Sequence, residues 1–414
     1  MAPGALVTSD APTAPAAATA VPGPAEPPAQ APTIPAPAIP TSAAWRPGID
    51  PAGRRRFVTL AAPVELEFGG TLPAVTVAYE TWGRPRPARA GGGIGNAVLV
   101  AHALSGDSHA AGPAGPGHPT AGWWNPLIGP GAPIDTDRFF VVCPNVLGGC
   151  QGTTGPASAA PDGRPWGSRW PEITIADQVR VEAAFAEALG VPRWAAVIGG
   201  SMGGMRALEW AVAFPQRVER AIVIACCATA TADQIGLYTA QLAAITLDPG
   251  WRGGDYHDAA PGTGPHAGLG LARQLGQLSY RSEPELAARF ANRIQDDGRF
   301  AVASYLDHHG AKLARRFDAG SYVTLTRAMM TQDVGRGRGD AAAAIAGCPV
   351  PLTVAGVDSD RLYPPYLQHR LAGWSGAGEP AVIRSPYGHD GFLLEAEQVG
   401  GVVRAALAAG PAAP

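Results

Sequence analysis

Residues 197–205 read Val-Ile-Gly-Gly-Ser-Met-Gly-Gly-Met and join an apolar, β-rich run to a segment with helical periodicity. The pattern G-x-S-x-G between a strand and a helix predicts a sharp turn that presents a reactive serine, Ser201. Glycines at 199 and 203 leave room for such a turn, and the helix N-terminus favours negative charge developing near the serine. A glycine-rich turn that binds phosphate, or simple close packing, is the competing interpretation of so short a motif.

Outward from this motif, the chain alternates between apolar runs and helix-period segments. Continuous apolar runs are typical of strands that are buried on both faces. These runs are 97–101, 139–142, 194–198, 221–225 and 351–355, with a last short one at 381–383. Helical periodicity appears between them, as in 175–189 and 205–214. Alternating strands and helices predict an α/β fold with a mostly parallel central sheet.

Three further segments complete the predicted organisation. Residues 64–68 and 75–79 flank Gly69-Gly70 and predict an antiparallel hairpin. Residues 229–346 carry helical patterns without a clear buried strand, which predicts an inserted helical cap over the sheet. The α/β core then comprises 45–228 and 347–410. Residues 1–44 are rich in Ala and Pro and poor in large apolar side chains, which predicts a disordered tail.

Composition excludes several classes of function. The 414 residues carry 31 Lys+Arg and 34 Asp+Glu, a net charge of −3, so nucleic-acid binding is not expected. No apolar stretch is long enough for a transmembrane helix. The five cysteines form no C-x-x-C pair or repeated spacing, which argues against a disulfide framework or zinc site and favours a cytoplasmic protein. We expect neither a metal nor a redox cofactor.

A serine nucleophile needs a base, and the base needs an acid that orients it. In this architecture the order along the chain is Ser, Asp, His, and each residue follows a late strand. Of nine histidines, His389 alone lies after the last predicted strand and before a C-terminal helix. Asp358 and Asp360 compete for the acid. Asp360 is preferred because a few residues of loop past Gly356 are needed to reach the imidazole.

The oxyanion of an acyl-transfer reaction requires two backbone donors. One is expected to be the N–H of Met202, directly after the nucleophile, and the other to come from an early strand-to-helix loop. Residues 101–109, Ala-His-Ala-Leu-Ser-Gly-Asp-Ser-His, follow an apolar strand, and the N–H of Leu104 is the candidate. His102 and His109 are seven residues apart without a nearby carboxylate pair, so a metal site there is weakly indicated.

These motifs, together with others spread from about Phe57 to the C-terminus, resemble the homoserine O-acetyltransferases of methionine biosynthesis, members of the α/β-hydrolase superfamily. The matching stretches are AHALSGDSH (101–109), GWWNPLIGPG (122–131), PNVLGGCQGTTGP (144–156), GGSMGGMRALEWA (199–211), LSYRSEPEL (278–286), RFDAGSYVTLTRAM (316–329), SDRLYP (359–364) and YGHDGF (387–392). The resemblance implies an α/β-hydrolase fold with a helical cap and covers nearly all the predicted folded part, but not the proline-rich tail.

The resemblance also implies roles for individual residues. Ser201 would be acetylated by acetyl-CoA, with Asp360 and His389 completing the triad. In the cap, Arg273 would pair with the carboxylate of the amino acid, and Tyr280 would be its companion in the pocket. Asp390 would hold the substrate ammonium.

The implied reaction is ping-pong acetyl transfer from acetyl-CoA, as co-substrate, to L-homoserine. O-succinyl transfer or serine as acceptor is a near alternative, and an esterase or thioesterase with the same triad is a chemical one. A non-catalytic binding protein on this fold is a third interpretation, but no triad member is missing. The resemblance further implies a homodimer formed through the cap helices.

Overall fold

The computed structural model describes residues 39–88 and 92–409. Within these ranges the main sheet has eight strands in the order β1-β4-β8-β5-β9-β10-β11-β12, and two short two-stranded sheets stand apart from it. The strands are β1 (Arg56–Thr59), β2 (Val64–Glu65), β3 (Thr71–Leu72), β4 (Thr76–Trp82), β5 (Ala97–Ala101), β6 (Ile128–Gly129), β7 (Ile134–Asp135), β8 (Phe140–Pro144), β9 (Ala196–Gly200), β10 (Ala221–Ile224), β11 (Leu352–Val357) and β12 (Ala381–Ile383).

The main sheet is parallel from β8 to β12, and antiparallel pairing occurs where β4 joins β8 and β1. Alternate residues of one strand belong to two separate apolar clusters. In β5, for example, Leu99 packs into one cluster while Val98 and Val100 pack into the other. Both faces of the sheet are therefore covered, which confirms the predicted α/β fold with a mostly parallel sheet.

The helices divide between the core and the region 229–346. The core contains α1 (Ile175–Ala188), α2 (Met202–Ala213), α9 (Pro365–Ser375), α10 (Gly391–Leu394) and α11 (Ala396–Ala408). Between β10 and β11 lie α3 (Ala232–Thr246), α4 (His266–Tyr280), α5 (Glu283–Phe290), α6 (Ala301–Ala314), α7 (Ala319–Met330) and α8 (Ala341–Ala346). We call the region 229–346 the cap. No helix in the described part of the chain is both long enough and apolar enough to cross a membrane.

The predicted hairpin of 64–68 with 75–79 is wrong. Val64–Glu65 pairs instead with Thr71–Leu72, directly across the two glycines. Residues Thr76–Tyr79 pair with β1, an exposed edge strand whose weak pattern the sequence analysis did not identify. A tight turn at the two glycines pairs the segments that lie immediately on either side of it, as hairpin geometry favours.

The boundary predicted at residue 44 also shifts. Residues 39–44 lie within the described part, and Thr41 and Ala44 are buried. The Oγ of Ser42 donates to the Asp318 carboxylate at 2.6 Å, in the loop that precedes α7. The end of the predicted tail is therefore packed against the cap, and residues 1–38 lie outside the described residues.

Candidate active site

Ser201 occupies a strained turn between β9 and α2. Its φ of 58° and ψ of −127° lie in a region that non-glycine residues rarely adopt. A Cβ on Gly199 would lie 2.2 Å from the carbonyl oxygen of Gly203, and one on Gly203 would lie 2.0 Å from that of Ala101. The two glycines of the motif are thus required by close backbone contacts, as the sequence predicted.

Ser201, His389 and Asp360 form a hydrogen-bonded chain. Nε2 of His389 lies 2.9 Å from Oγ of Ser201, and Nδ1 lies 2.7 Å from Oδ2 of Asp360. All three side chains are buried. This is the geometry in which an imidazole can take a proton from a hydroxyl while a carboxylate orients the ring.

The structure also distinguishes the two aspartates, Asp358 and Asp360, that the sequence offered as candidates for the acid. Oδ1 of Asp360 accepts the N–H groups of Leu362 at 2.9 Å and Tyr363 at 2.8 Å, which fixes the carboxylate toward His389. Asp358 is exposed and accepts the N–H of Ser385 at 3.0 Å. Asp358 therefore secures the loop before His389 and does not cap a helix.

The two expected oxyanion donors are available. The N–H groups of Met202 and Leu104 donate to no acceptor within residues 39–88 and 92–409. The tight approach of Gly203 to Ala101 brings the start of α2 against the end of β5, three residues before Leu104. Two unpaired N–H groups near the nucleophile are what a tetrahedral oxyanion needs.

A buried cation connects these two elements, and the sequence analysis did not identify it. The Arg206 side chain in α2 is fully buried, forms an ion pair with Glu182 of α1, and donates to the carbonyl oxygen of His102. Burial and the nearby Arg206 lower the pKa of His102 to about 3. Its neutral ring accepts the N–H of Val146 at 3.0 Å. The feature of the sequence that could have indicated this buried cation is the single arginine in the mostly apolar segment 205–211.

The residues assigned to the substrate lie beside the triad. The Arg273 guanidinium stands over the ring of Tyr280, 5.1 Å from its centroid, and that ring is 6.0 Å from the ring of His389. Oδ2 of Asp390 pairs with Nε of Arg281 at 3.2 Å. Burial raises the pKa of Asp390, although Arg281 and Arg273 oppose this shift. The structure thus brings all three predicted residues together and adds Arg281, which the sequence analysis missed.

The cap contacts the loop of His389 directly. Gly388 has a φ of 65°, and a Cβ there would lie 2.6 Å from the carbonyl oxygen of Tyr280 and 2.7 Å from the nitrogen of Ser282. Oγ of Ser282 also donates to the carbonyl oxygen of Pro386. Gly388 is therefore required by its close contact with the backbone at the end of α4.

His109, but not His102, belongs to a buried cluster with Glu80 and His118. Their nitrogen and oxygen atoms lie within 4.8 Å of one another, a spacing that could hold a metal ion. Nδ1 of His109 bonds to Glu80 at 2.9 Å, and Nε2 of His118 accepts the N–H of Arg54 at 3.0 Å. Glu80 also accepts from Ser108 at 2.9 Å, so the cluster fixes the far end of the loop that carries Leu104.

Comparison with known proteins gives a consistent result. A family model for the alpha/beta hydrolase fold matches residues 96–396. The homoserine O-acetyltransferase of Thermobifida fusca (strain YX) is 57% identical over 374 residues, 89% of this chain and 97% of the relative. That of Clavibacter michiganensis subsp. michiganensis (strain NCPPB 382) is 56% identical over 370 residues, 87% of this chain and 93% of the relative.

Solved structures include both transferases and esterases. The homoserine O-acetyltransferase from Bacillus anthracis matches with a TM-score of 0.77 and 25% identity, covering 87% of this chain and 99% of that one. Esterase E22 matches with a TM-score of 0.77 and 27% identity, covering 85% and 99%. Fold likeness alone does not separate the two classes, whereas the sequence relatives do. The chain belongs to the homoserine O-acetyltransferase family, on the α/β-hydrolase fold.

Proposed function

We propose that this protein transfers the acetyl group of acetyl-CoA to the hydroxyl of L-homoserine, giving O-acetyl-L-homoserine for methionine biosynthesis. The observation that carries the proposal is the pair of opposite charges beside the triad. Arg273 stands over the Tyr280 ring beside His389, and the Asp390 carboxylate is near enough to interact with the charges of Arg273 and His389. The two side chains can therefore receive the carboxylate and ammonium of an amino acid. A hydrolase that uses water as acceptor has no need for that pair.

In the first half-reaction, Ser201 is the nucleophile and His389 its base. Nε2 of His389, 2.9 Å from Oγ, takes the hydroxyl proton as the oxygen attacks the acetyl carbonyl. The N–H groups of Leu104 and Met202 stabilise the tetrahedral oxyanion. His389 then returns the proton to the departing sulfur, which leaves CoA as a thiol and the serine as its acetyl ester.

In the second half-reaction, homoserine replaces CoA. Arg273 and Asp390 orient the amino acid so that its γ-hydroxyl faces the acetyl ester, and His389 removes the hydroxyl proton. The attack forms a second tetrahedral oxyanion in the same position; as it collapses, the bond to Oγ of Ser201 breaks, His389 returns the proton to that oxygen, and O-acetylhomoserine is released. Transfer exceeds hydrolysis because a positioned alcohol has a high effective molarity and the cap restricts water.

No separate cofactor enters this scheme. A succinyl donor would bring an additional carboxylate, but the relatives at 56% and 57% identity are homoserine O-acetyltransferases. This favours acetyl over succinyl transfer.

A thiol-release assay with acetyl-CoA and L-homoserine tests the proposal, with O-acetylhomoserine measured by mass spectrometry. Succinyl-CoA, L-serine and no acceptor serve as comparisons, and Ser201→Ala serves as the blank. We expect homoserine-dependent thiol release that disappears in Ser201→Ala. Thiol release at the same rate without an amino acid would identify a thioesterase and contradict the roles given to Arg273 and Asp390.

We also propose a cytoplasmic homodimer paired through the cap. Five cysteines without a disulfide agree with a reducing compartment. Exposed apolar side chains on the cap, such as Ile294 and Phe300, agree with a covered surface there. Light scattering of the full chain is expected to give twice the chain mass, and Ile294→Asp is expected to shift it toward one. A monomer in the unaltered protein would refute this pairing.

A further inference from the structure

A cavity lies beside the loop that carries Leu104. Its volume is about 260 Å³. Ser105 and Asp107 line it from the core, and Lys312 and Arg316 line it from the cap. It therefore opens along the residues that directly follow a proposed oxyanion donor.

The two cations of this cavity have no carboxylate partner within the described part of the chain. Nη2 of Arg316 donates to the carbonyl oxygen of Ser105 at 2.8 Å, and the other guanidinium nitrogens bond to no described residue. Burial lowers the pKa of Arg316, opposed by the charge of Asp107. Asp107 itself accepts the N–H of His109 at 2.9 Å. Because one carboxylate faces two cations, the cavity keeps an excess of positive charge in a protein with a net charge of −3.

The positions of the two cations suggest different tasks. Arg316 contacts Ser105, one residue from Leu104, and is therefore close to where a thioester would react. Lys312 precedes Arg316 by four residues, lies in the last turn of α6 and is exposed, whereas Arg316 is half-buried. The flexible lysine side chain can place its ammonium nearer to solvent than the Arg316 guanidinium, and so farther from the reacting carbonyl.

We propose that this cavity binds the arm of the acyl donor and that Lys312 contacts a phosphate of its nucleotide end. The inference rests on the proposed function, because it assigns a position to the CoA portion of acetyl-CoA. A lysine suits this role as a mobile point charge that needs no fixed ligand geometry. Arg273 and Asp390 remain for the amino acid, so the donor and the acceptor are recognised by different charges.

Kinetics with two acyl donors distinguish a contact between Lys312 and the phosphates from any other role of Lys312. Acetyl-CoA carries the nucleotide phosphates, and S-acetylpantetheine carries the same acetyl group and arm without them. We expect Lys312→Gln to raise KM for acetyl-CoA by about fivefold to tenfold and to leave KM for S-acetylpantetheine unchanged. Arg315→Gln is the matched control, because Arg315 is exposed on the same segment, does not line the cavity and forms no described ion pair.

Chemical labelling gives an independent readout, because Lys312 is the only lysine in the sequence. Peptide mapping distinguishes it from the terminal amine. We expect CoA to protect Lys312 from an amine-reactive label and pantetheine not to protect it. Equal KM changes for both donors, an increase of KM for homoserine instead, or labelling unaffected by CoA would overturn the assignment. If the unaltered protein shows no homoserine-dependent thiol release, the proposed function itself fails, which is a different result.

Discussion

Arg206 donates a hydrogen bond to the carbonyl oxygen of His102 and so joins the helix that follows the nucleophile to the loop that carries Leu104. The guanidinium is fully buried, and its charge is matched by Glu182, which also accepts from Nε1 of Trp210 at 2.7 Å. A buried charge costs several kcal/mol of desolvation, so a network of this kind needs a reason beyond stability. Here it links the helix that begins after Ser201 to the loop of Leu104, one of the two proposed oxyanion donors.

Replacing Arg206 therefore separates folding from catalysis. Arg206→Met leaves Glu182 uncompensated and is expected to lower the free energy of unfolding by about 3–5 kcal/mol. The double variant Arg206→Met/Glu182→Gln removes both charges, keeps an acceptor for Trp210 and should recover most of that stability. Its kcat should remain low, since the bond to His102 is still missing. Urea unfolding and steady-state rates measure the two effects, and a double variant with unaltered kcat would show that the network is only structural.

The two aspartates of the 358–360 loop give a matched pair. Asp360→Asn removes the charge that orients His389 and is expected to reduce kcat by about 10⁴-fold, with little change in KM. Asp358→Asn keeps an oxygen that can accept from Ser385 and should retain kcat within about twofold. Rates at saturating substrate check both, and equal losses would contradict the assignment of the acid.

Arg273→Lys tests recognition of the amino acid. The lysine keeps the charge but loses the planar fork that binds a carboxylate through two bonds. We expect KM for homoserine to increase about 10-fold to 100-fold, which corresponds to about 1.4–2.8 kcal/mol. The first half-reaction is the internal control, because rapid thiol release from acetyl-CoA should be unchanged. A slower burst with unaltered KM for homoserine would place Arg273 on the donor instead.

Asp318 should make stability depend on acidic pH. Burial would raise the pKa of this carboxyl, but bonds from His257, Ser42 and Tyr256 lower it to about 2. Its contribution is present above the ordinary value of 3.8 and is lost as the pH falls through about 2, so unfolding should become easier by about 2 kcal/mol over that interval.

The interaction of Asp318 with His257 also loses its stabilising effect at higher pH. Although burial opposes it, the hydrogen bond to Asp318 raises the pKa of His257, so that part of the stability is lost as the pH rises through the raised value. Denaturant unfolding across pH measures both limits. Asp318→Asn should flatten the acidic dependence, while Asp296→Asn, at an exposed carboxyl with no described hydrogen bond or ion pair, should leave it unchanged. An identical pH profile in Asp318→Asn would refute the linkage.

Local patterns predicted the parallel strands of the core with small errors. The runs 97–101 and 381–383 have the bounds that the sequence pattern indicated. The start of α2 was placed at Met205, whereas the helix begins at Met202. The two intervening glycines are weak helix formers, and only the close contacts of the turn place them in the first turn.

In the active site, too, some features follow from the local sequence and others only from the tertiary structure. The motif around Ser201, the chain order of the triad and the room that Gly199 and Gly203 provide are local properties, so the sequence determined them. The choice of Asp360 over Asp358 depended on which backbone N–H groups fix each carboxylate. The packing of Gly388 against α4 and the bond from Arg206 to His102 join residues more than 100 positions apart. No local period encodes such contacts, because burial and close packing between distant segments arise only when the chain has folded.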